Sequence, residues 1–321
     1  MTLSEIYQRG AEVLEEKELA IFLRGIETEF MMECNESIFK RYKFMLRSIN
    51  HMDKVTLETK ILDVKLNVPL VMSSITSPIP KIQDKGLVMV ARALRDTGSM
   101  MWLGSPVPNN LKELVDTGVP IVQTLKPSSD RTIVKKKLAE AEAAGVTWVG
   151  IEVDAGQGTK VLDRQMSKDC SPMSVDELKE LKKGVSRPFV LKGILSPWDA
   201  ERALEVGADV IVVSNHGAHN IDYLPHPLEV MDDLVKVIAG QIPIVMDCGF
   251  RRGTDVLKGL AMGAQAIGLG RPILYGLAAD GENGVRSVID EIAKELVRVM
   301  TMTGVKDPVS AHKGILMDSG R

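Results

Sequence analysis

From residue 68 onward two hydrophobic rhythms alternate along the chain. Short runs of apolar, mostly branched residues, too brief for a helix, fall over 68–74, 99–103, 120–125, 148–154, 188–192, 210–213, 243–247 and 266–270. Between and after them, over 81–97, 110–116, 131–144, 175–183, 197–206, 227–239, 253–262 and 284–303, apolar residues return every three or four positions. The short runs show no polar alternation, which predicts strands buried on both faces, as in a parallel sheet covered by helices. Ser196 followed by Pro197 is a helix start, an N-cap with proline at the first helical position.

Repeated strand–helix alternation means a parallel sheet, and eight units predict closure into a (β/α)8 TIM barrel of class α/β. The rival is an open doubly wound sheet. A dinucleotide site of that type needs Gly-x-Gly-x-x-Gly after the first strand, where this chain has Met72-Ser-Ser-Ile-Thr-Ser. The barrel is expected to take in 1–321 as one unit. A helical segment over about 1–45, broken at Gly25 and Asn35, is expected to pack on one end, followed by a small hairpin within 46–66.

Composition narrows the function. With 45% hydrophobic residues, the 321-residue chain can bury a sizeable core. A net charge of -3 and 4% aromatic residues give no reason to expect nucleic acid. Cys34, Cys170 and Cys248 have neither disulfide-framework nor metal-site spacing, so no metal is expected. There is no signal-peptide pattern at the N-terminus and no apolar run near the roughly 20 residues that span a bilayer. The expectation is a cytoplasmic protein that does not enter membranes.

The strand Val210-Ile-Val-Val stops abruptly at Ser214-Asn215-His216-Gly217, which would deliver an imidazole to the C-terminal mouth of a barrel, where such folds place their chemistry. Lys192 and Asp154 end strands five and four. The last two strands run into Asp247-Cys-Gly-Phe-Arg-Arg-Gly-Thr-Asp255 and Gly268-Leu-Gly-Arg-Pro272. Glycines there let backbone N–H groups approach an anion, and Arg251 and Arg271 can pair its oxygens, which predicts a phosphate site. Arg252 is read as a helix-start residue.

Leu191-Lys-Gly-Ile, Val212-Val-Ser-Asn-His-Gly-Ala, Asp247-x-Gly-x-Arg-Arg-Gly-Thr-Asp-Val and Gly270-Arg-Pro, in order on successive strand ends, resemble the FMN-dependent α-hydroxy-acid oxidase family. That family includes glycolate oxidase, lactate oxidase and flavocytochrome-type lactate dehydrogenase. The resemblance implies FMN at the barrel mouth, with His216 as catalytic base, Asp154 orienting it and Lys192 against the N1/O2 edge of the flavin. It also implies Gly249, Arg251, Gly270 and Arg271 around the phosphate and Gln123 on the ring. Ser74, Ser105, Ser214 and Asp247 would complete the cofactor contacts.

The chain departs from the family where the substrate is expected. By the resemblance, His219 replaces a carboxylate-clamping arginine, and Val161, beside Lys160, replaces another. Leu125 and Ile21 replace two tyrosines, and Glu152 replaces a threonine at the flavin. His219, Lys160, Leu125 and Ile21 are therefore the candidate substrate contacts. Arginine to histidine exchanges a fixed fork for a titrating donor. Glu152 could accept from the flavin ring, act as an acid or point away. The loop over 155–174 is short for the family.

The leading expectation is an FMN-dependent oxidoreductase converting a 2-hydroxy acid, larger or less charged than glycolate, to its 2-oxo product. A flavin-dependent isomerase on the same barrel is the alternative, and a flavin-binding protein without catalysis the third reading. A nucleotide dehydrogenase would need a cysteine nucleophile after strand six, and none is there. The expected partners are a small-molecule substrate and further copies of the chain, a tetramer by analogy. No built-in cytochrome domain is expected.

Overall fold

The computed structural model describes residues 1–52 and 54–320. Its central sheet comprises β1 (Leu70–Met72), β2 (Met101–Leu103), β3 (Ile121–Leu125), β4 (Trp148–Glu152), β5 (Phe189–Ile194), β6 (Val210–Val213), β7 (Ile244–Met246) and β8 (Ala266–Leu269). All are parallel, each beside its sequence neighbours, and β1 pairs with β8. A parallel bridge between Val71 and Met100, with the Met72 N–H donating to the Met100 carbonyl at 2.9 Å, closes the barrel. The expected (β/α)8 fold is what the chain adopts.

Alternation along each strand divides the core in two. Val71, Trp102, Val122, Trp148, Val190, Val210, Val212 and Val245 fill the inside, and Trp102 meets Trp148 edge to face at 6.4 Å. Their neighbours, among them Leu103, Ile121, Val149, Leu191 and Ile211, face the surrounding helices. The hairpin Thr59–Ile61 and Val64–Leu66 adds Ile61, Val64 and Leu66 to the inner cluster, plugging one end. The polar strand ends remain at the other.

Two helix boundaries differ from the sequence reading. The last helix runs Arg271–Thr303, not from 284, and is interrupted at Asp280 and Gly281. Pro272 is tolerated in the first turn, where its missing N–H would be unpaired anyway. The helix expected over 81–97 divides into Ile79–Ile82 and Gly86–Asp96.

Before the barrel lie the helices Leu3–Glu16, capped by Thr2, and Phe30–Ser37, and the strand Tyr42–Phe44 pairs antiparallel with Leu316–Asp318 near the C-terminus. Asn35 does not break this segment as expected. It lies inside the helix Phe30–Ser37, 2% exposed, and exchanges amide hydrogen bonds with Asn215 at 3.2 and 2.7 Å. Asp222 accepts from the Thr28 and Met31 N–H groups, and the Ile26 N–H donates to the Ala218 carbonyl at 2.8 Å. The N-terminal segment is thus fastened to the loop that follows β6.

Removing one amide of the buried pair strands the other. Asn35→Ala should lower the unfolding free energy by about 1–3 kcal/mol, read as a reduced urea midpoint with unchanged far-UV circular dichroism. An unshifted midpoint would show that the pair does not hold the segment.

Candidate active site

β4 to β7 are consecutive neighbours, and their C-terminal ends bring one group of ionisable side chains together. Glu152 closes β4, and a 3-10 turn, Val153–Ala155, carries Asp154 behind the mouth. Lys192 lies on β5, His216 follows β6 and Asp247 follows β7. Gly193, at a bulge in β5 with φ +99°, is required here: a Cβ would come 2.1 Å from Asp154 Cγ.

His216 Nδ1 lies 3.0 Å from Asp154 Oδ2, which assigns the proton to Nδ1 and leaves Nε2 as the acceptor. Nε2 stands 3.8 Å from Glu152 Oε2. Ser74 and Thr124 donate to Glu152 Oε1 at 2.6 and 2.8 Å, so this carboxylate turns into the mouth rather than away from it. Gly104 makes room for it, since a Cβ there would sit 2.8 Å from Oε1. Burial alone would raise the pKa of Glu152 and of Asp154, but the charges of His216 and Lys192 outweigh it and hold both below the usual carboxylate range. Burial alone would likewise depress Lys192. The carboxylates of Asp247, Asp154 and Glu152 prevail and keep its ammonium above the usual lysine range. Lys192 Nζ donates to Ser214 Oγ at 3.1 Å, and that oxygen also accepts the His216 N–H at 3.0 Å.

A cavity with about 1250 Å³ of space outside protein atoms, partly open to solvent, lies over this group. Ser74, Ser105, Glu152, Lys192, His216 and Asp247 line it, as do Gly249, Arg251, Gly270 and Arg271. Ser105 accepts the Lys126 N–H at 2.8 Å. Gly270 precedes the last helix, whose first turn has no side-chain cap. Arg251 Nη2 donates to Glu36 at 2.5 Å. Arg271 is committed to the carbonyls of Leu23, Arg24 and Gly217 through Nε and Nη2, and among the described residues its Nη1 makes no hydrogen bond. Cys248, at φ +75°, donates to Asp247 Oδ1 and accepts the Gly217 N–H, a packing role in a strained turn.

Four candidates do not form the cavity wall. Gln123 pairs across the sheet with Leu103 and Val149, both on the helix-facing side, and donates to the Gly104 carbonyl at 2.9 Å. Leu125 belongs to the outer core. Period-two alternation puts Thr124 on the inner face instead, and Lys126 lines the cavity. Along β3 the cavity is therefore met by Lys126 and not by Gln123 or Leu125. Ile21 gives way in the same manner to Phe22, which lines the cavity. Ser214 is buried behind Lys192.

His219 and Lys160 do reach the wall, with Val161. His219, however, donates from Nε2 to the Arg24 carbonyl at 2.9 Å, and burial, with Arg271 and His216 alongside, pushes its pKa down to about 3. With Nε2 held by that carbonyl, this nitrogen is not available to clamp a carboxylate. Lys160 Nζ lies 3.7 Å from Glu27. Among the described residues no group of side chains has the makings of a metal site, and no helix is long and apolar enough to cross a membrane.

The model of the FMN-dependent dehydrogenase family matches residues 11–168 and 156–317 of this chain. A 2-hydroxyacid oxidase of Dictyostelium discoideum is 28% identical, with 100% of this chain and 91% of that protein covered. Glycolate oxidase 1 of Oryza sativa subsp. indica is 29% identical over 91% of this chain and 89% of its own. The crystal structure of mandelate oxidase with (S)-2-phenylpropionate superposes with a TM-score of 0.89 at 26% identity, covering 98% of this chain and 97% of that one.

His226 fixes the turn beneath the mouth. Fully buried, it accepts the Leu228 N–H at Nδ1 and donates from Nε2 to the Cys248 carbonyl, and burial pushes its pKa down to about 4 from 6.5. The unfolded chain binds that proton more readily, so the contribution to stability is complete above pH 6.5 and lost progressively as pH falls toward 4. Urea midpoints should therefore drop between pH 7.5 and 5, and His226→Gln should flatten the dependence. An equally steep profile in the variant would contradict this.

Proposed function

The chain belongs to the FMN-dependent dehydrogenase family, and from that membership and the mouth geometry we propose that it oxidises 2-hydroxy acids to 2-oxo acids with His216 as the base. The observation that carries the proposal is the His216–Asp154 pair at 3.0 Å, set beside buried Lys192 in one cavity.

The side chains present fit FMN. A phosphate needs N–H donors and cations, and the uncapped helix start at Gly270, together with Arg251 and Arg271 Nη1, supplies them. Lys192 is a fixed buried cation suited to the negative charge of a reduced flavin. Ser74, Ser105, Glu152 and Asp247 line the same cavity, and Gly249 adds a backbone position near the phosphate donors. Bound FMN supplies the acceptor for two electrons.

Asp154 holds Nδ1 of His216, which orients the ring and keeps Nε2 free toward the cavity. His216 takes the substrate proton at Nε2. Asp154 at one nitrogen and Glu152 near the other then stabilise the imidazolium. Lys192 is kept ammonium by its three carboxylate neighbours, so its charge stays fixed throughout. Phe22 and Val161 add apolar wall, which favours a substrate with an apolar tail. Glu152 is also the feature a non-oxidative isomerase would use as its second acid, and net reduction of the flavin separates the two. We further read the protein as cytoplasmic, supported by its three free cysteines, and as a homo-oligomer from the family resemblance.

His216→Ala should still bind FMN, with the yellow flavin spectrum retained. Under anaerobic conditions its bleaching by 2-hydroxy acids should slow by roughly 10²–10⁴-fold. Bleaching near the wild-type rate would remove His216 from the chemistry. A wild type bleached by no member of a size-graded 2-hydroxy-acid panel would overturn the oxidation itself.

A further inference from the structure

We propose that Lys126 is the anchor for the carboxylate of the substrate, in place of His219, whose Nε2 is spent on the Arg24 carbonyl. The inference rests on the reading of the mouth as a 2-hydroxy-acid site.

The register of β3 carries it first. Val122 and Thr124 are on the inner face, so the next inner position, just past the strand end, is 126. Lys126 accordingly lines the cavity, half-buried, as do His216 and Glu152.

The second observation is what the ammonium touches. Nζ donates to Thr159 Oγ1 at 2.8 Å and to Ser167 Oγ at 3.2 Å. Both are neutral hydroxyls on the loop after β4, and they aim the group without cancelling its charge. An ammonium has three N–H donors, so one is left over. Among the described residues Lys126 forms no ion pair.

The third is that the other cations of the cavity are engaged. Lys160 faces Glu27 and Arg251 holds Glu36. Arg271 is tied to backbone carbonyls, and Lys192 sits in the field of Asp247, Asp154 and Glu152. Glu152 also repels any second carboxylate brought beside the imidazole. A substrate that offers its hydroxyl to His216 therefore needs a separate cation for its acid group, and with Arg251 and Arg271 Nη1 given to the phosphate, Lys126 is the lining cation that keeps a donor to spare.

The test uses the FMN-loaded protein and oxalate, a dicarboxylate with no C–H bond to oxidise, titrated against the flavin absorption spectrum. Lys126→Met should weaken oxalate binding by about 10- to 100-fold, and Lys126→Arg should recover most of it. Lys126→Gln, which keeps hydrogen bonding without charge, should behave as the methionine variant does and stands in for it if that protein fails to fold. For any 2-hydroxy acid the wild type oxidises, KM should rise far more than kcat falls. Equal oxalate affinity in wild type and Lys126→Gln, or no oxalate binding by the wild type, overturns the proposal. Lysine-dependent oxalate binding by a protein that no 2-hydroxy acid bleaches would sink the oxidation reading and leave the anion anchor standing.

Discussion

The structure depends on one electrostatic constraint: a lysine ammonium buried among carboxylates at the end of the barrel. Lys192 is 3% exposed, Glu152 1% and Asp247 5%. Burying any one of these charges alone costs several kcal/mol, and only near neighbours of opposite sign offset that. β4, β5, β6 and β7 are adjacent in the sheet, so consecutive strand ends deliver Glu152, Lys192, Ser214 and Asp247 to one place without long loops. His216 enters the same field between Asp154 and Glu152. An imidazole that gains a proton there meets charge already in position, which is the preorganisation a proton-abstracting site needs.

The backbone holds that group under strain. His216, Ala218 and Cys248 all have φ in the left-handed region without being glycine, at a cost of about 1–3 kcal/mol each. Tertiary contacts over-determine them. The Ile26 N–H grips the Ala218 carbonyl, Asn35 locks Asn215, and His226 holds the Cys248 carbonyl from below. The N-terminal segment therefore bears on the site, since it restrains the loop that carries His216.

Much of this was legible in the sequence because buried parallel strands leave an unmistakable apolar rhythm, and because His216, Lys192 and the Asp247 and Gly270 turns fall at strand ends. The same burial hid the faces of β3. In Ile-Val-Gln-Thr-Leu both sides are covered and no alternation marks the inner one, so the sequence does not tell Gln123 and Leu125, which face the helices, from Thr124 and Lys126, which face inward. Trp102 and Trp148, too large for any place but the barrel centre, could have set the register through their pairing with Val122. The seat of Glu152 was hidden for another reason. The carboxylate sits against Gly104, far away in sequence, where a side chain would crowd it.

A cation buried at position 192 should favour negative charge on a reduced flavin. The most direct measurement is the midpoint potential of bound FMN in the wild type and in Lys192→Met. A more negative potential is expected in the variant, by roughly 30 mV or more, which for two electrons is about 1.4 kcal/mol. An unchanged or more positive potential, with FMN still bound, would contradict it.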